Sequence, residues 1–194
     1  MPKSELIKSS GWFFIAGAFA FITLLIPADP ISIPGSVVSA ILMAVGLSRL
    51  RAAYSEIVGR FGRSFLLLGM LGPVLWCVVI GSMPIIGVTE TQVSEGLWVL
   101  LFVGPAISLL GLTLFGVTAL GSKPMLRFNW LPLLAGIWYP ATYTLFSVYD
   151  ISHKGVFPDQ YLPTLVMMVV IQFLALCMLG IVLISDSSKE LVTA

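Results

Sequence analysis

A chain of 194 residues with 58% hydrophobic and only 10% charged side chains cannot cover a water-facing surface of its size, since a globular domain carries about 25% charged residues. Its net charge of +1 offers no basic field for nucleic acid, which is excluded as a partner. Six spans of about 20 residues would occupy roughly 120 positions, so the expectation is one transmembrane domain over 1–194, surrounded by a lipid bilayer.

The first apolar run, 11–26, follows Lys3 and Lys8 and closes at Pro27-Ala28-Asp29-Pro30, a strong stop signal. Its Ile26-Pro27-Ala28 segment lacks the small residue a signal-peptide cleavage site needs, so the run is expected to stay in place. The second run, 33–50, carries Ser36, Ala40, Ala44 and Ser48 at four-residue spacing. Such a stripe is expected to pack inside the bundle, because small side chains let helix backbones approach. A homodimer seam is the other use of such a stripe.

Beyond it, Leu47, Leu50, Tyr54, Ile57 and Phe61 recur at helical spacing, with Arg49, Glu56, Arg60 and Arg63 between them. This predicts an amphipathic extension of the second helix, ended by Gly59 and Gly62. The third run is 64–86. The fourth, 97–120, has Gly104, Ser108 and Gly111 as a second packing stripe and ends at Gly121-Ser122-Lys123-Pro124. Ala16 and Ala20 offer a shorter stripe in the first run. Leu71-Gly72-Pro73 is echoed by Val103-Gly104-Pro105, a faint hint of two inverted three-helix halves.

The fifth run is 129–149 and the sixth 162–185. Pro132 and Pro163 fall in first turns, where proline is tolerated. Pro73, Pro105 and Pro140 are interior and should free a carbonyl and bend their helices. Cys77 and Cys177 lie at different depths of their runs, too far apart for a disulfide, and are expected to be free thiols.

Orientation follows from charge. Lys3, Lys8, Arg49, Arg51, Arg60, Arg63, Lys123, Arg127 and Lys189 all fall in segments that share one side of a six-span bundle, and Lys154 alone falls on the other. Cytoplasmic loops retain Lys and Arg. The expectation is an all-α polytopic bundle of six transmembrane helices in the plasma (inner) membrane, with both termini cytoplasmic. Trp12 and Trp130 near inner ends, and Trp98, Tyr149 and Tyr161 near outer ends, suit an interfacial aromatic belt.

No Asp, Glu, Lys, Arg or His occupies the middle of a span, which argues against proton-coupled transport. His153 is the only histidine and sits in an outer loop, so paired-histidine haem, an HExxH zinc site and an intramembrane Ser–His dyad are excluded. No CxxC, Walker loop or nucleophile elbow occurs. No catalytic residue, cofactor or metal is expected, and the chain is not expected to be an enzyme. Polar residues gather in the last two spans, where Tyr139, Thr142 and Tyr143 flank Pro140 and Gln172 lies within the sixth.

These residues predict either interhelical hydrogen bonding or a polar cavity between helices 5 and 6. The first outcome suits a structural, accessory or assembly subunit held against a membrane-protein partner or a second copy. The second suits a facilitator or channel for a neutral solute, or a lipid-handling protein.

Overall fold

The computed structural model describes residues 1–21, 29–82, 95–125, 127–137 and 162–193. Within these residues the regular structure is entirely helical. The helices are α1 (Lys3–Phe21), α2 (Asp29–Tyr54), α3 (Gly59–Ser82), α4 (Glu95–Ser122), α5 (described over 131–137) and α6 (Leu162–Thr193). Three carry stretches long and apolar enough to cross a membrane, Val37–Tyr54, Gly59–Val79 and Val170–Ser187. Ala106–Ser122 is a shorter apolar stretch within α4.

Most helices overrun the apolar runs. α1 starts at Lys3 and not at Gly11, and α6 continues to Thr193 and not Ser185. Hydropathy marks only where a helix is greasy, whereas backbone hydrogen bonding continues wherever one face stays packed. Ser4, Ile7, Asp186 and Ser187 are buried accordingly. α2 opens at Asp29-Pro30, with proline in the first turn, and runs through Pro34. α3 runs through Pro73 and α4 through Pro105.

The expected amphipathic extension is divided. α2 stops at Tyr54, where the amides of both Ile57 and Val58 donate to the Tyr54 carbonyl. Gly59 then reverses the chain at φ +65°. Leu47, Leu50 and Tyr54 are core residues of α2, while Ile57 and Phe61 are exposed on the far side of the break. Helical spacing survives a four-residue turn by coincidence of phase, so the pattern alone did not reveal it.

Among the described residues α1 packs antiparallel on α2, α2 on α3, α3 on α4 and α4 on α5, and α6 packs on α1. Four of these seams close by the same device, a reciprocal exchange of small residues. Across α1 and α2, Ser10 Oγ donates to the Gly46 carbonyl and Ser39 Oγ donates to the Gly17 carbonyl, both at 2.8 Å. Across α1 and α6, a methyl added at Gly11 would lie 2.5 Å from the Gly180 carbonyl oxygen and 2.8 Å from Ile184. One added at Gly180 would lie 2.6 Å from both the Gly11 carbonyl oxygen and Ile15.

Across α3 and α4, Gly72 lies against Gly104 and Ser108, while Gly104 lies against Gly72 and Trp76. Gly111 abuts Gly69 one turn nearer the α3 N-terminus. Across α4 and α5, Gly116 meets Leu133 and Gly136 meets Thr113. In each case the contacts recur reciprocally along two antiparallel helices. Close backbone approach maximises dispersion contact where lipid supplies no hydrophobic drive between helices.

Two packing expectations change. Gly104, Ser108 and Gly111 form a seam as expected, and all three are buried. Of the α2 stripe, the Ser36 side chain lies outside the described residues and the other three form no closed seam. Ala40 and Ala44 are only half-buried and Ser48 is exposed, along an open trough between α2 and α3. Ala16 is likewise exposed. α1 serves two neighbours, so its small residues, Ser10, Gly11 and Gly17, are divided between two faces. The two copies of the Gly-Pro echo lie on facing helices, with Gly72 against Gly104 across the α3–α4 seam.

Candidate functional site

Of the four residues expected around a polar cavity, Tyr139, Thr142 and Tyr143 lie outside the described residues, as does His153. Gln172 is described and is 6% exposed. It belongs to the buried stripe of α6 that continues through Ala175, Leu176, Leu179 and Leu183. Its neighbour Phe173 meets Phe19 of α1 edge-on, with ring centres 5.2 Å apart. Gln172 is therefore turned into protein. Cys77 and Cys177 are both free, as expected.

The surface of the molecule exposes long apolar stripes that a water-soluble protein would cover. α3 exposes Leu67, Leu71, Val74, Leu75 and Val78, and α6 exposes Met167, Val170, Leu174, Met178 and Ile181. Each set falls on one helical stripe. The buried side of the bundle holds Ser10, Ser39, Ser108 and Gln172. Hydroxyls elsewhere bond back to their own helix, as Thr113 does to Leu109, Thr118 to Phe115 and Ser122 to Thr118. That economy suits a solvent that offers no hydrogen bonds.

Among the described residues the basic side chains gather at one end. The start of α1, the end of α2, the start of α3 and the end of α4 meet there, because Lys3 Nζ lies 5.8 Å from the centre of the Tyr54 ring and Gly62 packs beside Thr118. Lys3, Lys8, Arg49, Arg51, Arg60, Arg63, Lys123 and Arg127 all belong to this end. Asp186 and Ser187 of α6 are buried at it. The sequence reading stopped the sixth span one residue before Asp186 and so missed a buried acid. Exposed Trp12, Phe61, Phe128 and Trp130 ring the same end, and Phe128 and Trp130 meet edge-on.

Arg49 is the most defined cation of the group. Its Nη1 donates to Ser9 Oγ at 3.1 Å and to Met1 Sδ at 3.3 Å, and its guanidinium sits 5.3 Å above the Phe13 ring. The arginine is held by a hydroxyl, a thioether and a π-face, and none of these neutralises its charge. Two residues on, on another face of α2, Arg51 Nε is buried without a hydrogen-bond partner.

Arg49 stands at the mouth of the α2–α3 trough, which consists of two adjoining open surface hollows of about 540 and 400 Å³ that share Ala44 and Val45. The first is bounded by Met1 and by Leu6 of α1 as well as by Ser48, Arg49 and Met70, and the second is lined by apolar side chains and Cys77. Nothing in the sequence spacing marks this trough, because small residues at four-residue intervals fit a seam or a furrow equally well.

No protein-family model, curated protein or solved structure matches this chain.

Proposed function

We propose that the protein is a six-span integral membrane protein of the plasma membrane, with both termini cytoplasmic, serving as a non-catalytic structural, accessory or assembly subunit. The observation that carries this reading is the pair of apolar stripes that α3 and α6 turn outward, around a largely apolar core that also holds Ser10, Ser39, Ser108 and Gln172. The gathering of eight cations at one end supports the orientation, because that end corresponds to the side that retains Lys and Arg. α1 and α6 are antiparallel, so the two chain ends also belong to that side. Burial of Gln172 in the α6 stripe weighs for a packed interior over a solute path.

Two measurements test the proposal. With Cys77 and Cys177 replaced by Ala, a cysteine introduced as Ser55→Cys should react with an impermeant maleimide only after the cells are opened. Labelling in intact cells would overturn the orientation. Proteoliposomes should shrink in glycerol or urea at the rate of protein-free vesicles. A protein-dependent flux abolished by Gln172→Leu would overturn the accessory reading in favour of a neutral-solute facilitator.

A further inference from the structure

We propose that the α2–α3 trough is a binding site for an anionic phospholipid of the adjacent leaflet, its phosphate against the Arg49 guanidinium and one acyl chain along the furrow. This inference rests on the membrane placement above but not on any particular role in the membrane.

Three independent features converge on that occupant. The first is shape. The trough runs along α2 from Ala52 to Ala40, about 18 Å at 1.5 Å per residue, close to the half-thickness of about 15 Å of one leaflet. Ala40 and Ala44 keep its floor low on the α2 side, and Val74 and Val78 form its α3 wall.

The second feature is the change of chemistry along the trough. The deep part is lined by Ile41, Val45, Pro73 and Val78, which offer an acyl chain dispersion contact and no hydrogen bonds. The mouth has Ser48 and Arg49, a hydroxyl and a guanidinium at the level where a phosphate would sit. Apolar walls that end in a cation match an amphiphile with an anionic head, and they match a free phosphate poorly.

The third feature is charge. Among the described residues no carboxylate pairs with Arg49, whose contacts are Ser9, Met1 and the Phe13 ring. These contacts engage Nη1 and the π-face and leave other donors of the planar guanidinium for a bidentate acceptor such as phosphate. The surrounding cations add an attractive field for anionic headgroups. A second copy of this chain would bring the same cations to the mouth and repel.

The test is thermal unfolding of the detergent-purified full chain with added phosphatidylglycerol or phosphatidylcholine. Phosphatidylglycerol should raise the melting temperature saturably, phosphatidylcholine much less, and glycerol phosphate not at all. Arg49→Gln should weaken the phosphatidylglycerol response about tenfold, the scale of one charge-assisted contact. Because Arg49 also packs on Phe13, a second variant is needed. Ala44→Leu fills the furrow without touching the cation and should abolish the response while leaving the lipid-free melting temperature nearly unchanged.

Equal responses to both lipids, or an undiminished response in Ala44→Leu, would overturn the proposal. So would Ala44→Leu converting a dimer to a monomer by light scattering, which would make the trough a subunit seam. A response to glycerol phosphate alone would reduce the site to a phosphate contact and overturn the acyl-chain claim. If the chain stayed monodisperse without any amphiphile, the membrane placement itself would fail, an outcome distinct from all of these.

Discussion

Ser10 Oγ donates to the carbonyl of Gly46 at 2.8 Å, and the residues seven positions along each helix, Gly17 and Ser39, repeat the bond with donor and acceptor exchanged. A helical carbonyl has a second lone pair free, so neither helix gives up its own ladder to make the clasp. Both serines are buried, and glycine opposite each hydroxyl lets the backbones come within reach. Ser10→Ala and Ser39→Ala should each lower stability by roughly 0.6 to 2 kcal/mol. The double variant should lose about the sum, since the two bonds lie a heptad apart with no shared partner. Thermal melts of the four proteins in one detergent check this, and a strongly non-additive cycle would show that the clasp acts as a unit.

The α3–α4 seam and the α2 furrow give opposite expectations for the same kind of change. Gly72→Leu places a branched side chain where a single methyl already collides with Gly104 and Ser108, and should destabilise by about 3 kcal/mol or more. Ala40→Leu enters an open trough and should change stability by no more than about 0.5 kcal/mol. Parallel melts of the two variants decide the point. If Ala40→Leu proved as damaging as Gly72→Leu, the furrow would be a closed seam.

Backbone conformation supplies a third pair. Gly59 has φ +65° with nothing within 4 Å of a methyl placed on it, so Gly59→Ala should cost about 1 kcal/mol purely through left-handed strain. Lys123 adopts φ 47° while its amide donates to the Ala119 carbonyl at 2.9 Å, the single-bond form of helix termination that usually employs glycine. Lys123→Gly should therefore stabilise by up to about 1 kcal/mol. Chemical denaturation of both variants, with opposite signs expected, tests the assignment.

The turn between α4 and α5 depends on one side chain. Asn129 Oδ1 accepts from the Met125 amide, and Asn129 Nδ2 donates to the Met125 carbonyl, each at 2.9 Å. Met125 is buried beneath this pair. Asn129→Ala should lose about 1 to 3 kcal/mol by stranding two backbone groups, whereas Asn129→Asp should recover only the amide bond. Partial proteolysis across 123–130 provides a readout local to the turn.

Much of the architecture was legible from composition and residue spacing. The cations at one end, the apolar helices and the packing of Gly104, Ser108 and Gly111 could all be read from residue type and spacing. Which face of a helix met which neighbour could not. Small residues at Ala40 and Ala44 follow the spacing of a seam yet line a furrow, because spacing fixes a face and not its partner. α1 escaped the reading because Ser10, Gly11 and Gly17 serve two neighbours and so form no single stripe. The seat of Arg49 depends on Ser9 and Phe13 of another helix, a contact between positions about 40 apart that no local pattern encodes. Asp186 was hidden by ending the sixth span where hydropathy fell.

The order of the seams also sets a timetable for assembly. Every described contact between helices joins neighbours in sequence except that of α1 with α6. Hairpins can thus close as they emerge from the ribosome, but Gly11 must wait for Gly180. At about 5 to 20 residues per second, that interval is roughly 10 to 30 s, during which the α6-facing side of α1 lies open. Variants that slow the final docking should prolong this interval and raise turnover of the newly made chain, even where the finished bundle is as durable as the parent.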